Sequence, residues 1–146
     1  MELSNKYSIS IAAIFIWIGF VSAISFVEAW LKFRAPGMTL SLGLGIGRIV
    51  FNALNKIEWV LALIIYLNLF FRSNDVFTTV NLIFSLIVVI LLLQTFWLLP
   101  MLDNRAELYI QGKDVPALNI HFYYIGMEAI KVIALCIIGF FQFKSV

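Results

Sequence analysis

Apolar residues dominate the chain in four long stretches, and short segments rich in charged residues, proline and glycine separate them. A helix needs about 20 apolar residues to cross the ~30 Å hydrocarbon core of a membrane. Each stretch is at least that long, so the pattern predicts membrane-spanning helices over residues 7–33, 41–71, 76–99 and 116–143. We therefore predict an all-α fold, a bundle of four transmembrane helices that forms a single domain over residues 1–146.

The predicted helices end where the backbone chemistry changes. Pro36 has no backbone N–H for a helix interior and stops the first helix, and Pro100 is expected to stop the third. Residues 103–113 then predict a short interfacial helix between helices three and four, with Asp103 at its start and Gly112 at its end. The first two connections are short, so helices that are neighbours in sequence are expected to pack antiparallel.

The composition calls for a membrane environment. The 146 residues are 63% hydrophobic and 12% charged, whereas a soluble domain carries about 25% charged residues. A net charge of +2 without a basic run argues against a nucleic acid partner. The single cysteine, Cys136, cannot form an internal disulfide, which argues against dithiol chemistry. Because no targeting or sorting signal is recognised, we expect an integral protein of the bacterial plasma (inner) membrane.

An even number of spans places both termini on one side of the membrane. We call this side A, and it also holds the loop at residues 72–75. Side B, the opposite side, holds the loops after helices one and three. Lysine and arginine occur on both sides in nearly equal number, so the positive-inside rule leaves the orientation open.

The ionisable and amide side chains inside the predicted spans fall mainly in the half nearest side B. Such groups cost a few kcal/mol each within a membrane and need partners or water. Antiparallel packing brings them together, which predicts a buried polar cluster or a water-accessible cavity open towards side B. The residues expected to line it are Glu28, Arg48, Asn52, Asn55, Glu58, Gln94, His121, Tyr124, Glu128 and Lys131, with Asp103 and Arg105 at its rim.

The embedded charges balance in number, and both a functional and a structural interpretation stay open. The glutamates either carry protons, bind a cation or act as acid and base, or they simply pair with the cations. The opposing groups are Glu28, Glu58 and Glu128 against Arg48, Lys56 and Lys131. One histidine and scattered glutamates lack the Glu-x-x-His pairs of di-iron bundles, so no metal site is predicted. The sequence identifies no cofactor and no catalytic residue.

Residues 48–58 read Arg-Ile-Val-Phe-Asn-Ala-Leu-Asn-Lys-Ile-Glu. The stretch resembles part of the second helix of the membrane-bound glutathione transferase and eicosanoid enzyme family. Arg48, Asn55 and Glu58 match that pattern, whereas Phe51 stands where the family has a second arginine. The long third loop and the polar stripe on helix four also differ from it. The resemblance covers about 11 residues, and membership would imply a trimer with glutathione bound between subunits. The small multidrug exporters are similar in topology alone.

Three functional hypotheses follow. In the first, the polar cavity binds or moves an amphipathic or hydrophobic small molecule, lipid- or quinone-like. Glu58 and Glu128 would set its charge and protonation, and Arg48 and Lys131 would either neutralise them or meet an anionic head group. In the second, the protein is a membrane-embedded enzyme that acts on a lipophilic substrate by acid–base or glutathione chemistry. In the third, it is a non-catalytic subunit of a larger membrane complex. Assembly as a homo-oligomer stays open beside all three. The remaining expected partners are membrane lipids.

Overall fold

The computed structural model describes residues 8–72, 78–115 and 119–144, and these residues form four long helices without a strand. The predicted helix starts at Tyr7, Val76 and Pro116 lie outside this part of the chain. All four helices are long and apolar enough to cross a membrane, which confirms the predicted all-α membrane bundle. The helices are α1 (Ser8–Arg34), α2 (Leu40–Arg72), α3 (Thr79–Ile110) and α4 (Ile120–Lys144).

The helices form an antiparallel ring in which α4 closes the bundle between α3 and α1. The hydroxyl of Ser10 donates a 2.6 Å hydrogen bond to the side-chain oxygen of Gln142, which joins the start of α1 to the end of α4. The amide of Asn52 donates to the carboxylate of Asp103 at 3.2 Å, which joins the first half of α2 to the last part of α3. Both contacts require neighbouring helices to run in opposite directions.

Threonine side chains begin two of the helices. The hydroxyl of Thr39 accepts a 3.2 Å hydrogen bond from the backbone N–H of Leu42 at the start of α2. The hydroxyl of Thr78 accepts a 3.3 Å bond from the N–H of Asn81 at the start of α3. The first N–H groups of a helix have no partner within the helix, so each threonine satisfies one of them.

A glycine ends α3, as the sequence predicted. Gly112 has a φ of 72°, a conformation that other residues adopt only with strain. Its N–H donates to the carbonyl of Tyr109 at 3.0 Å, and the N–H of Lys113 donates to the carbonyl of Leu108 at 3.0 Å. This pair of bonds is the Schellman motif, and it satisfies carbonyl groups that the helix end would otherwise leave without donors.

Helix three differs from the expectation at Pro100. We expected a stop before this proline, but the chain stays helical throughout Thr79–Ile110. A π-helical turn at Gln94–Leu98 precedes the proline, and the α-helical segment Leu99–Ile110 then begins with Pro100 in its first turn. Proline is tolerated in a first turn because its missing N–H would have no partner there. The expected short helix is therefore present, but it continues helix three and packs along the first half of α2.

The core of the bundle is apolar and the outer face is rich in large apolar side chains, as expected where lipid is the surrounding solvent. Fully buried side chains in the core include Ile14, Trp17, Leu54, Ile65, Ile87, Leu91, Leu135 and Ile138. Phenylalanines cover much of the outside, among them Phe15, Phe70, Phe96, Phe122 and Phe140. The bundle thus leaves room for polar side chains only at specific points inside it.

We predict opposite effects for two glycine-to-alanine changes. Gly112→Ala forces a side chain into the positive-φ region and should lower the free energy of unfolding by about 1 kcal/mol. Gly126→Ala, at an exposed helical position where an added Cβ meets no atom within 4 Å, should raise it by about 0.5–1 kcal/mol. Unfolding by SDS titration in mixed micelles measures both values. Equal shifts of the same sign would contradict the role assigned to Gly112.

Candidate functional site

A cluster of polar side chains lies fully buried in the middle of the bundle. The ammonium group of Lys131 contacts the carboxylate of Glu58 and lies 3.2 Å from that of Glu128. The indole N–H of Trp17 donates to Glu58 Oε1 at 2.8 Å, and the amide of Gln94 donates to Glu128 Oε1 at 3.0 Å. We call these five residues the core cluster. Every helix of the bundle contributes to it.

Helical geometry explains part of this arrangement. Glu128 and Lys131 stand three residues apart on α4, so they share one face of the helix. Gln94 is the first residue of the π-helical turn of α3. Such turns often occur at functional sites, because the wider turn changes which side chains point inward.

Several buried atoms around the core cluster have no hydrogen-bond partner among the described residues. They are Glu58 Oε2, Glu128 Oε2, Gln94 Oε1 and the hydroxyl of Tyr124. Tyr124 is fully buried one turn before Glu128, and its hydroxyl lies beside the Glu128 carboxyl group. The donors from Lys131, Trp17 and Gln94 all go to the Oε1 atoms, and the Tyr124 hydroxyl is a further donor beside Glu128.

A second polar group, the side B network, joins α2 to the last part of α3. Arg48 forms ion pairs with Glu107 and, at 3.6 Å, with Asp103. Asn52 donates to both carboxylate oxygens of Asp103 at 3.2 Å. These four side chains are partly exposed. Arg48, one of the cations that the structural interpretation offered to the embedded glutamates, thus pairs instead with two carboxylates of the continued helix.

A third polar contact links α2 to the π-helical turn of α3. The hydroxyl of Thr95 accepts hydrogen bonds from the amide of Asn55 at 3.1 Å and the indole N–H of Trp59 at 3.0 Å. The same hydroxyl lies 2.7 Å from the carbonyl of Leu91 and can donate to it. Thr95 was not among the residues singled out from the sequence, since an exposed or helix-bonded threonine gives no distinct signal.

A cavity of about 280 Å³ lies near side B, between the end of α1, the start of α2, the end of α3 and the start of α4. We call it the side B cavity. Its walls are largely apolar and include Ala29, Phe33, Leu40, Leu44, Phe51, Leu99, Leu102 and Ala106. Its polar lining consists of Lys32, Arg48, Asp103, Arg105, Tyr109 and His121.

Lys32 is the most deeply placed cation of this cavity. Its side chain is 8% exposed, and its ammonium group lies 3.3 Å from the carboxylate of Glu28, one turn earlier on α1. The same ammonium group lies 5.3 Å from the ring centre of Phe51 and 5.7 Å from that of Phe33. These distances allow cation–π attraction, which helps to hold the charge away from water. The sequence singled out Glu28 for the site but left Lys32 out.

Two glycines of α2 allow the end of α1 to come close. A Cβ atom at Gly43 would lie 2.2 Å from the ring of Phe33, and one at Gly47 would lie 3.2 Å from the Lys32 ammonium group. Both glycines line the side B cavity. Their lack of a side chain therefore shapes the cavity wall, in keeping with the role of small residues in membrane helix packing.

Lys56 and His121 occupy more exposed positions. Lys56 lies on the outer face of α2 in an open groove that Arg48, Asn52 and Asp103 also line. The ring of His121 lies on the side B cavity, with its centre 6.1 Å from that of Phe51. Lys131 is the cation that contacts the buried glutamates, so the expected balancing role of Lys56 is wrong.

The predicted site residues thus lie in separate groups instead of one continuous cluster. Glu58, Gln94, Glu128 and Lys131 meet in the core, with Tyr124 beside them. The side B network holds Arg48, Asn52 and Asp103, while Asn55 contacts Thr95. Glu28 pairs with Lys32, and Arg105 and His121 line the side B cavity.

Comparison with known proteins does not add a function. Neither a family model, nor a curated protein, nor a solved structure matches this chain. The resemblance of α2 to the membrane-bound glutathione transferases therefore depends on its short stretch of residues alone. In the structure Arg48, Asn55 and Glu58 each have different partners.

We predict that Lys131→Met lowers the free energy of unfolding by about 3–5 kcal/mol, because it leaves the buried carboxyl groups of Glu58 and Glu128 without a cation. The matched control is Lys144→Met at the exposed end of the same helix, where the effect should stay below about 1 kcal/mol. A triple variant that adds Glu58→Gln and Glu128→Gln should recover most of the loss. SDS titration in mixed micelles measures all three, and similar stability of the two lysine variants would refute the prediction.

Proposed function

We propose that the protein binds an amphipathic small molecule with an anionic head group in the side B cavity. The observation that carries this proposal is the lining, in which largely apolar walls surround a small set of charged groups. Ligand sites of proteins commonly combine an apolar pocket with a few polar groups that fix orientation. The apolar part would receive the tail of the ligand and the charged part its head.

The sign of the lining favours an anion. Lys32, Arg48 and Arg105 are the cations of the described cavity wall, and Asp103 is its carboxylate. Glu28 and Glu107 pair with two of these cations from outside the wall, so an anionic head group would have to compete with them. A hydrogen bond between a cation and an anion is stronger than a neutral one, and it gains further where water is excluded. Lys32 meets that condition best, since only 8% of its side chain is exposed.

The size of the cavity suits part of a lipid or one small amphiphile. Its volume of about 280 Å³ lies near the lower end of the range for ligand pockets, roughly 300–1,000 Å³. It lies where the four helices meet near side B, so a hydrocarbon chain can extend from it between helices. A carboxylate or phosphate head group would then face Lys32 and Arg48.

The core cluster is not part of the proposed ligand site, although we expected its glutamates to set the charge of that site. Glu58 and Glu128 do not line the cavity, so they do not set the charge that a ligand meets there. His121 does line it, so the residues that the enzymatic hypothesis would use for proton transfer, Glu58, Glu128 and His121, are divided between two places. This division favours a binding or transport role over the enzymatic hypothesis.

A second candidate function is that of a subunit in a larger membrane assembly. It is favoured by the position of Lys56, a cation exposed on the outer face of α2 within the predicted span. A charged group that faces lipid is costly, and a partner helix with a carboxylate would remove that cost. The groove beside Lys56 is where such a helix would lie.

Native mass spectrometry of the gently solubilised protein tests both candidates. We expect wild type to retain an added long-chain fatty acid or lysophospholipid. Lys32→Gln should weaken binding at least about tenfold, because it removes a charge-assisted hydrogen bond worth about 1.5–3 kcal/mol. Ala106→Phe should abolish binding by filling the cavity.

The controls carry the same substitutions outside the cavity. Lys113→Gln and Ala23→Phe change exposed positions and should bind like wild type. Failure of wild type to bind either probe, or undiminished binding by Ala106→Phe, would overturn the ligand proposal. The same spectra give the mass of the assembly and so test the second candidate function. A monomer, in a preparation from which no other chain has been lost, would count against a role as a subunit.

A further inference from the structure

We propose that the core cluster is a binding site for one exchangeable proton, held by the carboxyl pair of Glu58 and Glu128. The site is distinct from the side B cavity and does not depend on any ligand there. The site binds and releases a proton at a carboxylate oxygen inside the bundle.

The charge of the cluster favours a bound proton. Two carboxyl groups share the single ammonium group of Lys131, and all three side chains are fully buried. With every group ionised, the cluster carries a net charge of −1 in a region that excludes water. A net charge without a counter-ion is costly in such surroundings, and one added proton makes the cluster neutral.

The hydrogen bonds of the two carboxyl groups also favour a bound proton. The donors from Lys131, Trp17 and Gln94 all go to the Oε1 atoms of the two carboxyl groups. The Oε2 atoms of Glu58 and Glu128 accept from no described residue. A proton that binds to an Oε2 atom therefore leaves the bonds to the Oε1 atoms in place, and at Glu128 the Tyr124 hydroxyl lies beside the carboxyl group that receives it.

The other neighbours of the carboxyl pair are neutral. From α1 the cluster meets the indole of Trp17, and from α3 the amide of Gln94. From α4 it meets Lys131 and the hydroxyl of Tyr124. Among the described residues, Lys131 is thus the charged group that faces the carboxyl pair, and a second compensating charge has to come from a bound proton.

A short route connects this site to the side B cavity. Phe51 lines the cavity and is 7% exposed, and its ring centre lies 5.1 Å from that of Tyr124. The Tyr124 hydroxyl in turn lies beside Glu128. When the Phe51 ring moves aside, water from the cavity can reach the Tyr124 hydroxyl and Glu128, deliver a proton to a carboxylate oxygen and carry it away again, so the cluster changes between charges of −1 and 0.

Infrared spectroscopy of the purified protein in lipid films at neutral pH tests the proposal. Wild type should show the C=O stretching band of a protonated carboxylic acid, and the band should shift when the film is equilibrated with D₂O. Glu58→Gln and Glu128→Gln should each abolish the band, because one remaining carboxylate is balanced by Lys131 without a further proton. Glu107→Gln, in the side B network, is the matched control and should leave the band unchanged.

Each alternative result overturns the shared site. No band in folded wild type means that both carboxyl groups are ionised. A band that survives in one of the two variants means that the carboxyl group left there keeps a proton although Lys131 balances its charge, which contradicts a site made by the pair. A band that survives in both variants belongs to another carboxyl group of the protein. Native-like thermal unfolding of each variant shows that the comparison is made on folded protein.

The route is tested by the rate at which the band shifts in D₂O. Phe51→Ala removes the aromatic layer and should accelerate this exchange at least tenfold. Phe96→Ala, at a side chain that is 75% exposed on α3, is the control and should leave the rate unchanged. An unchanged rate in Phe51→Ala would overturn the route through the cavity while leaving the shared proton to be decided by the first measurement.

Discussion

The contact of Lys131 with Glu58 and Glu128 is the interaction around which the bundle is organised. A fully buried ion pair offsets its desolvation only when every member is well placed. That condition fixes the rotation of α2 and α4 about their axes, because Glu58 and Lys131 come from different helices. Trp17 and Gln94 bring α1 and α3 to the same point. The cluster therefore sets the register of all four helices, whatever it contributes to total stability.

The apolar contacts of the bundle do not supply that specificity alone. Lipid tails are as apolar as the side chains they would replace, so burial of leucine and isoleucine against another helix drives association only weakly in a membrane. Packing detail and internal polar contacts have to choose between alternative arrangements. The bond between Ser10 and Gln142 near side A, and the pairing of Asn52 with Asp103 nearer side B, extend this selection along the length of the bundle.

The helices and the polar character of the interior follow from the sequence by simple physical rules, but the pairing of the polar groups does not. Span length and the i,i+3 spacing of Glu128 and Lys131 are properties of one helix. The partners of Arg48 depend instead on the helix at Pro100, a residue that we expected to end helix three. The π-helical turn before Pro100 places this proline in the first turn of the next α-helical segment. The continued helix then presents Asp103 and Glu107 to Arg48. A local change of helical geometry thus redirects a long-range contact, and no local pattern shows that.

The separation of the two polar regions has a consequence for any function of the bundle. Phe51 stands between the side B cavity and Tyr124, so the charges of the cavity and of the core cluster are compensated in different places. Coulomb energy between them is reduced by distance and by the partners that each group already has. A ligand in the cavity therefore influences the core mainly by moving the aromatic layer, and a change at the core reaches the cavity in the same way. Among the described residues, Phe51 is the one ring that contacts both His121 and Tyr124. The position of this ring therefore decides whether the cavity and the core cluster influence each other.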